Sequence, residues 1–125
     1  MIRYSVLLAL VVAFGVIGAG SAFGHGASKQ SATLVGTVGP GYTIKLTANA
    51  KRVTRLKAGT YTLVIHDKAS IHSWSLDGPH GYAKDFTKVP FVGTKTFTVK
   101  LAAGKYKFYC PPHESTMFGH FTVVS

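Results

Sequence analysis

Acidic residues are what this sequence most lacks. Its 125 residues include four carboxylates, Asp67, Asp77, Asp85 and Glu114, against 14 lysines and arginines, a net charge of +10. Scattered singly, the four offer no pair for general acid–base chemistry. Cysteine occurs once, as Cys110, which excludes a small scaffold stapled by internal disulfides. Methionine occurs twice, as Met1 and Met117. A glycine-rich phosphate loop is missing, as are internal repeats, low-complexity tracts and any useful helical period after residue 24. What is plentiful is apolar: 46% hydrophobic residues exclude a disordered chain, and the length suits one domain. A multi-domain enzyme does not fit, and no set of side chains suggests a small one.

Charge is also lacking at the start. Arg3 is the only charged residue among the first 24. Met1-Ile2-Arg3 supplies a positive beginning, Val6 to Ile17 an apolar run, and Gly18 to Gly24 a series of mostly small residues. This order is that of a secretory signal peptide. Cleavage after Ala22 or after Gly24 meets the small-residue requirement, and an uncleaved membrane anchor is the other reading. Residues 1–24 are thus expected to export a single domain, 25–125, to the periplasm, cell surface or exterior. With no cysteine in the leader, a lipid anchor is excluded. If cleavage follows Gly24, His25 becomes an amino-terminal histidine, a type of end that chelates Cu(II).

The body reads as all-β. Runs of β-branched and aromatic residues alternate with Gly, Pro and Ala-Gly punctuation. Strands are expected over Ala32–Val38, Tyr42–Leu46, Thr60–His66, Ile71–Leu76, Lys95–Leu101, Lys105–Cys110 and Gly119–Val124. Ala48–Lys57 is polar and basic without clear period, and Gly78–Val92 reads as a long loop holding a short edge strand. Period-2 alternation turns Phe97, Val99 and Leu101 inward, and likewise Tyr106, Phe108 and Cys110. Trp74, Phe86, Phe91, Phe97, Phe108 and Phe121 are the expected aromatic core. Seven or eight short strands in this length predict a Greek-key β-sandwich.

The chemistry lies in one short stretch. Tyr109-Cys110-Pro111-Pro112-His113-Glu114-Ser115-Thr116-Met117 places a thiol, an imidazole and a thioether at spacing C-x2-H-x3-M. A strand-end cysteine followed by a tight loop with His and Met can wrap three ligands around one metal. A His2Cys site with a weak axial Met is the coordination of an electron-transfer copper centre. The second histidine must come from elsewhere. His72 is the best candidate, because it shares a strand face with Trp74 and Leu76. Thiolate and thioether are soft donors and favour copper. C-x2-H is half of a zinc pattern, but no second half exists here. His66, His80 and His120 read as solvated surface.

On these residues the body resembles the cupredoxins, the small blue copper proteins of the plastocyanin, amicyanin and pseudoazurin type. The likeness is carried by Ile71-His72-Ser73-Trp74 upstream, and by Tyr109 to His113 with Met117-Phe118-Gly119 downstream. It implies that His72, Cys110, His113 and Met117 bind one copper, with His113 as the surface port for electrons. Two departures stand out. Ser73 occupies a position where many members have an asparagine that ties the ligand segments together. Ile71 stands where some members have a glycine that offers an extra axial carbonyl, so a fifth ligand is not expected. Pro111 and Pro112 have no N–H to offer the metal-bound sulfur.

The function expected is an exported carrier of single electrons that is no enzyme. The alternative is a copper carrier or buffer without redox turnover. Carriers present open Met- and His-rich sites, and one methionine outside the leader favours the shuttle. The positive charge, concentrated at Lys51, Arg52, Arg55 and Lys57, suggests an acidic redox partner or an anionic membrane surface. Export and scattered lysines argue against nucleic acid, and the chain is expected to act as a monomer.

Overall fold

A computed structural model describes residues 31–125. The signal-peptide expectation for 1–24 and the role of His25 lie outside the described residues. Ten strands follow one another: β1 (Thr33–Val38), β2 (Ile44–Ala48), β3 (Lys51–Arg52), β4 (Arg55–Lys57), β5 (Gly59–Asp67), β6 (Ser75–Asp77), β7 (Ala83–Asp85), β8 (Gly93–Leu101), β9 (Gly104–Tyr109) and β10 (Phe118–Val124). They form two five-stranded sheets in the orders β3-β2-β1-β5-β8 and β4-β10-β9-β6-β7. Each sheet contains one parallel pair, β1 with β5 and β4 with β10, the remainder being antiparallel. This is the expected all-β sandwich, with one core drawn from both sheets.

The count exceeds seven or eight because Ala48–Lys57 contributes β3 and β4. Both are edge strands, and four of their five side chains are exposed, so no inward period marks them. Between them Val53 is buried where the chain crosses from one sheet to the other. The basic residues Lys51, Arg52, Arg55 and Lys57 therefore line sheet edges, where charge blocks pairing with other chains.

Three other expectations need correction. Tyr42 precedes β2, in the loop from Gly39, and is 65% exposed. Ile71–Leu76 is a strand only from Ser75, and His72, Ser73, Trp74 and Ser75 are all buried, so no alternation holds there. Phe91 is half-buried, with the Lys95 ammonium 4.4 Å from its ring, and Phe97 packs at the margin of the core. The remaining aromatics do form the centre. Trp74 stacks on Phe108, with centroids 5.7 Å apart and planes within 3°, and meets Phe86 edge-on at 5.8 Å. Gly36 on β1 makes room for this stack: a Cβ there would lie 2.9 Å from Trp74 and 2.5 Å from Ile65. Phe108 lies two residues before Cys110, and Trp74 two residues after His72. The stack thus ties together the two segments that carry the candidate ligands.

Candidate metal centre

Cys110 leaves the end of β9, and Pro111–His113 coils into a single 3-10 turn. The prolines suit the start of such a turn, where an N–H would have no partner. The His113 N–H donates to the Cys110 carbonyl at 2.9 Å, and the Met117 N–H to the His113 carbonyl at 2.8 Å. The Cys110 N–H then donates to the Met117 carbonyl at 3.0 Å, and Phe118 pairs with Tyr109 as β10 begins. The stretch from Cys110 to Met117 is a hairpin loop closed by its own backbone. Short range in sequence is enough to bring its side chains together.

His72 arrives from the connection between β5 and β6. Its N–H donates to the Ala69 carbonyl at 3.1 Å, closing a turn. Two residues on, the Trp74 carbonyl accepts from Phe86 and Thr87, and the Trp74 N–H donates to the Thr87 hydroxyl at 2.9 Å. The Ser73 N–H donates to Cys110 Sγ at 3.4 Å. This bond links the two ligand-bearing segments directly, and it uses the backbone, so serine serves at this position. It also gives the sulfur a hydrogen-bond donor that Pro111 and Pro112 lack.

Three of the four expected donors meet in one place. His72 Nδ1 lies 3.2 Å from His113 Nδ1, and Cys110 Sγ lies 3.8 Å from the first and 3.6 Å from the second. A point equidistant from three atoms so spaced is about 2.1 Å from each, the length of a bond from metal to imidazole nitrogen and close to that from metal to thiolate. His72 and Cys110 have no exposed surface, whereas His113 is half-buried. Met117, 1% exposed, is buried beside them at the loop's end. Soft sulfur with two imidazoles in a largely buried site is a donor set for copper.

Three of the four acidic residues are engaged elsewhere. Glu114 is ion-paired with Lys107 at 2.8 Å. Asp77 accepts from the Tyr109 hydroxyl at 3.2 Å, and Asp85 from Ser75 Oγ at 2.6 Å. Loss of water raises the Tyr109 phenol above its ordinary range, and the Asp77 carboxylate raises it further. Asp67 is buried, and desolvation pushes its carboxyl up while the Thr87 hydroxyl, the Ala69 N–H and His72 pull it back. His66 binds the Thr94 hydroxyl at the surface, and His80 and His120 are exposed, as expected.

Sequence reasoning missed Tyr42. Its ring stands edge-on to both candidate ligand rings, 5.4 Å from His72 and 5.0 Å from His113 between centroids. It lies against both rings while remaining mostly exposed itself. Nothing local marks it, because 30 residues separate it from the nearer histidine and only the β1–β2 loop places it there.

No family model matches the chain, and no curated protein matches it by sequence. Solved structures do match. The copper protein rusticyanin aligns with a TM-score of 0.56 at 21% identity, over 77% of this chain and 79% of that one. Rusticyanin from Thiobacillus ferrooxidans gives 0.54 at 21%, with the same coverage. A reduced amicyanin variant gives 0.50 at 16%, over 78% of this chain and 87% of its own. At such identities the likeness is one of fold, and the chemistry must be argued from the donors themselves. The chain has the cupredoxin fold, and its buried cluster of His72, Cys110 and His113, with Met117 at hand, fits a single copper ion.

Proposed function

We propose that the protein is an exported type 1 copper protein that carries single electrons between redox partners. The observation that carries this reading is the donor triangle, whose spacing and softness suit copper before any metal is bound. Copper, when bound, supplies a one-electron couple between Cu(II) and Cu(I). His72, Cys110 and His113 would hold it, and Met117 would add a thioether donor. The Ser73–Cys110 bond and the closed Cys110–Met117 loop keep the donors in place through both redox states, so little reorganisation accompanies transfer. Burial of His72, Cys110 and Met117 excludes water and argues against a carrier that must release its ion. His113 is the donor nearest the surface, and Tyr42, Pro111, Pro112 and Phe118 are exposed around it. That apolar rim suits brief contact with a partner.

The test is a titration of the exported body with Cu(II). One equivalent produces an intense blue to green charge-transfer colour, and Cys110→Ser abolishes it. A colourless wild type that takes up stoichiometric zinc overturns the reading. Dithionite bleaches the colour and a partner protein restores it, whereas a carrier would lose the ion on reduction.

The positive field should find an acidic redox protein or an anionic membrane. Arg55–Lys57 pair with Thr122–Val124, about 13–20 Å along β10 from its start beside the site. That distance exceeds the roughly 8 Å over which charge acts at physiological salt. These residues would therefore draw a partner in and orient it without joining the electron contact. Charge reversal at Lys51, Arg52, Arg55 and Lys57 should flatten the salt dependence of the bimolecular rate and leave the copper spectrum unchanged. A wild-type rate indifferent to ionic strength refutes steering.

A further inference from the structure

Among the described residues, three buried side-chain polar atoms have no hydrogen-bond partner: His72 Nε2, Trp74 Nε1 and Asp67 Oδ2. The indole is a donor that can only give a proton. If Nδ1 of His72 faces the metal, Nε2 carries the ring proton and is a donor, while a carboxylate oxygen is an acceptor. A ligand histidine almost always gives its second N–H to a carboxylate, a carbonyl or water, and this partner sets the tautomer and the angle of the ring.

Asp67 is placed for that work. It ends β5 on the inward parity of Leu63 and Ile65, and is 2% exposed. Its register partner on β1 is Val38. Gly39 follows Val38, and a Cβ at Gly39 would lie 3.1 Å from Cδ2 of His72, the ring carbon bonded to Nε2. The carboxylate also holds the backbone before the histidine. Its Oδ1 accepts the Ala69 N–H at 3.4 Å, and the Ala69 carbonyl accepts the His72 N–H. Beyond His72, the Trp74 N–H goes to the Thr87 hydroxyl.

We propose that Asp67 is the positioning residue of the upstream ligand: it ties the loop before His72 and, across one water, accepts the Nε2 proton that keeps Nδ1 turned to the metal. In this arrangement the sequence's shortage of carboxylates is consistent with one of them being buried for a purpose. It does for His72 what a side-chain tie from position 73 would do. The proposal rests on the copper reading, but its contact is measurable without metal.

The experiment uses protein labelled with 15N in its histidine rings, copper-free and loaded with Cu(I). In both forms His72 should carry its proton on Nε2, and that proton should exchange slowly with solvent. Asp67→Asn retains an oxygen for Ala69 but turns an amide donor toward Nε2. It should keep the fold by circular dichroism, speed exchange of the ring proton, shift the reduction potential, and weaken copper binding about 10- to 100-fold. Thr87→Val should weaken copper binding less and leave the Nε2 proton protected. A His72 proton found on Nδ1 in the copper-free chain overturns the proposal. So does Asp67→Asn with wild-type exchange, potential and affinity, even if its melting temperature falls. Should the wild type bind no copper at all, the electron-carrier reading fails, and ring-proton exchange in the copper-free chain still decides the role of Asp67.

Discussion

Replacing Trp74 by alanine tests whether the aromatic stack supports the candidate metal centre. Trp74 has no exposed surface, lies flat on Phe108 and meets Phe86 edge-on. Truncating a buried Trp to Ala costs about 3–5 kcal/mol, because the cavity only partly collapses. A domain of this size has about 5–15 kcal/mol in all. Each kcal/mol moves the midpoint by about 4–8 °C, so the copper-free chain should melt roughly 12–40 °C lower. The site should suffer as well, since the stack joins the residue two after His72 to the residue two before Cys110. Trp74→Phe keeps a ring against Phe108 and should lose less than half as much. Trp74 is the chain's single tryptophan, so its fluorescence cannot follow the variant; urea unfolding by far-ultraviolet circular dichroism can. A loss below about 1 kcal/mol with an unchanged urea slope would refute the stack as the support of both ligand segments.

Two further substitutions separate the Met117 thioether from the Tyr42 ring. Met117→Leu is close in volume and should cost under about 1.5 kcal/mol; the charge-transfer band should persist while the reduction potential, read by voltammetry, shifts, because a weak thioether donor would tune the metal without holding it. Tyr42→Ala removes a mostly exposed ring and should change stability by no more than about 0.5 kcal/mol. It should nonetheless let azide or imidazole perturb the copper spectrum at concentrations that leave the wild type unaffected. An equal response in both proteins would show that Tyr42 does not shield the histidines.

What was legible in the sequence was what is local. Alternation in Lys95–Leu101 and Lys105–Cys110 marked β8 and β9, because each has one face on the core and one in water. C-x2-H-x3-M marked the metal loop, because backbone bonds between Cys110, His113 and Met117 close it within eight residues. The edge strands β3 and β4 show no such signal, since almost nothing on them is buried. His72 was picked out by its chemistry and by an alternation that the structure does not contain. It points inward because the whole connection from His72 to Ser75 is buried, not because it lies on a strand.

The same contrast explains which parts of the site are exposed to mutation elsewhere in the chain. Cys110, His113 and Met117 share one self-closed loop and depend little on distant residues for their spacing. His72 depends on Ala69, Thr87 and Ser73, on the Trp74 stack, and on Tyr42 above it, contacts made across both sheets and the loops between them. Asp67 did leave a trace in the sequence: it continues the inward parity of Tyr61, Leu63 and Ile65 by one more step, which places a carboxylate where an apolar residue belongs. A charged residue at an inward position, in a chain with so few acids, is a stronger sign of a polar task than the same residue in a turn. Damage from distant substitutions should therefore fall first on the His72 side of the copper site, while the Cys110–Met117 loop keeps its shape.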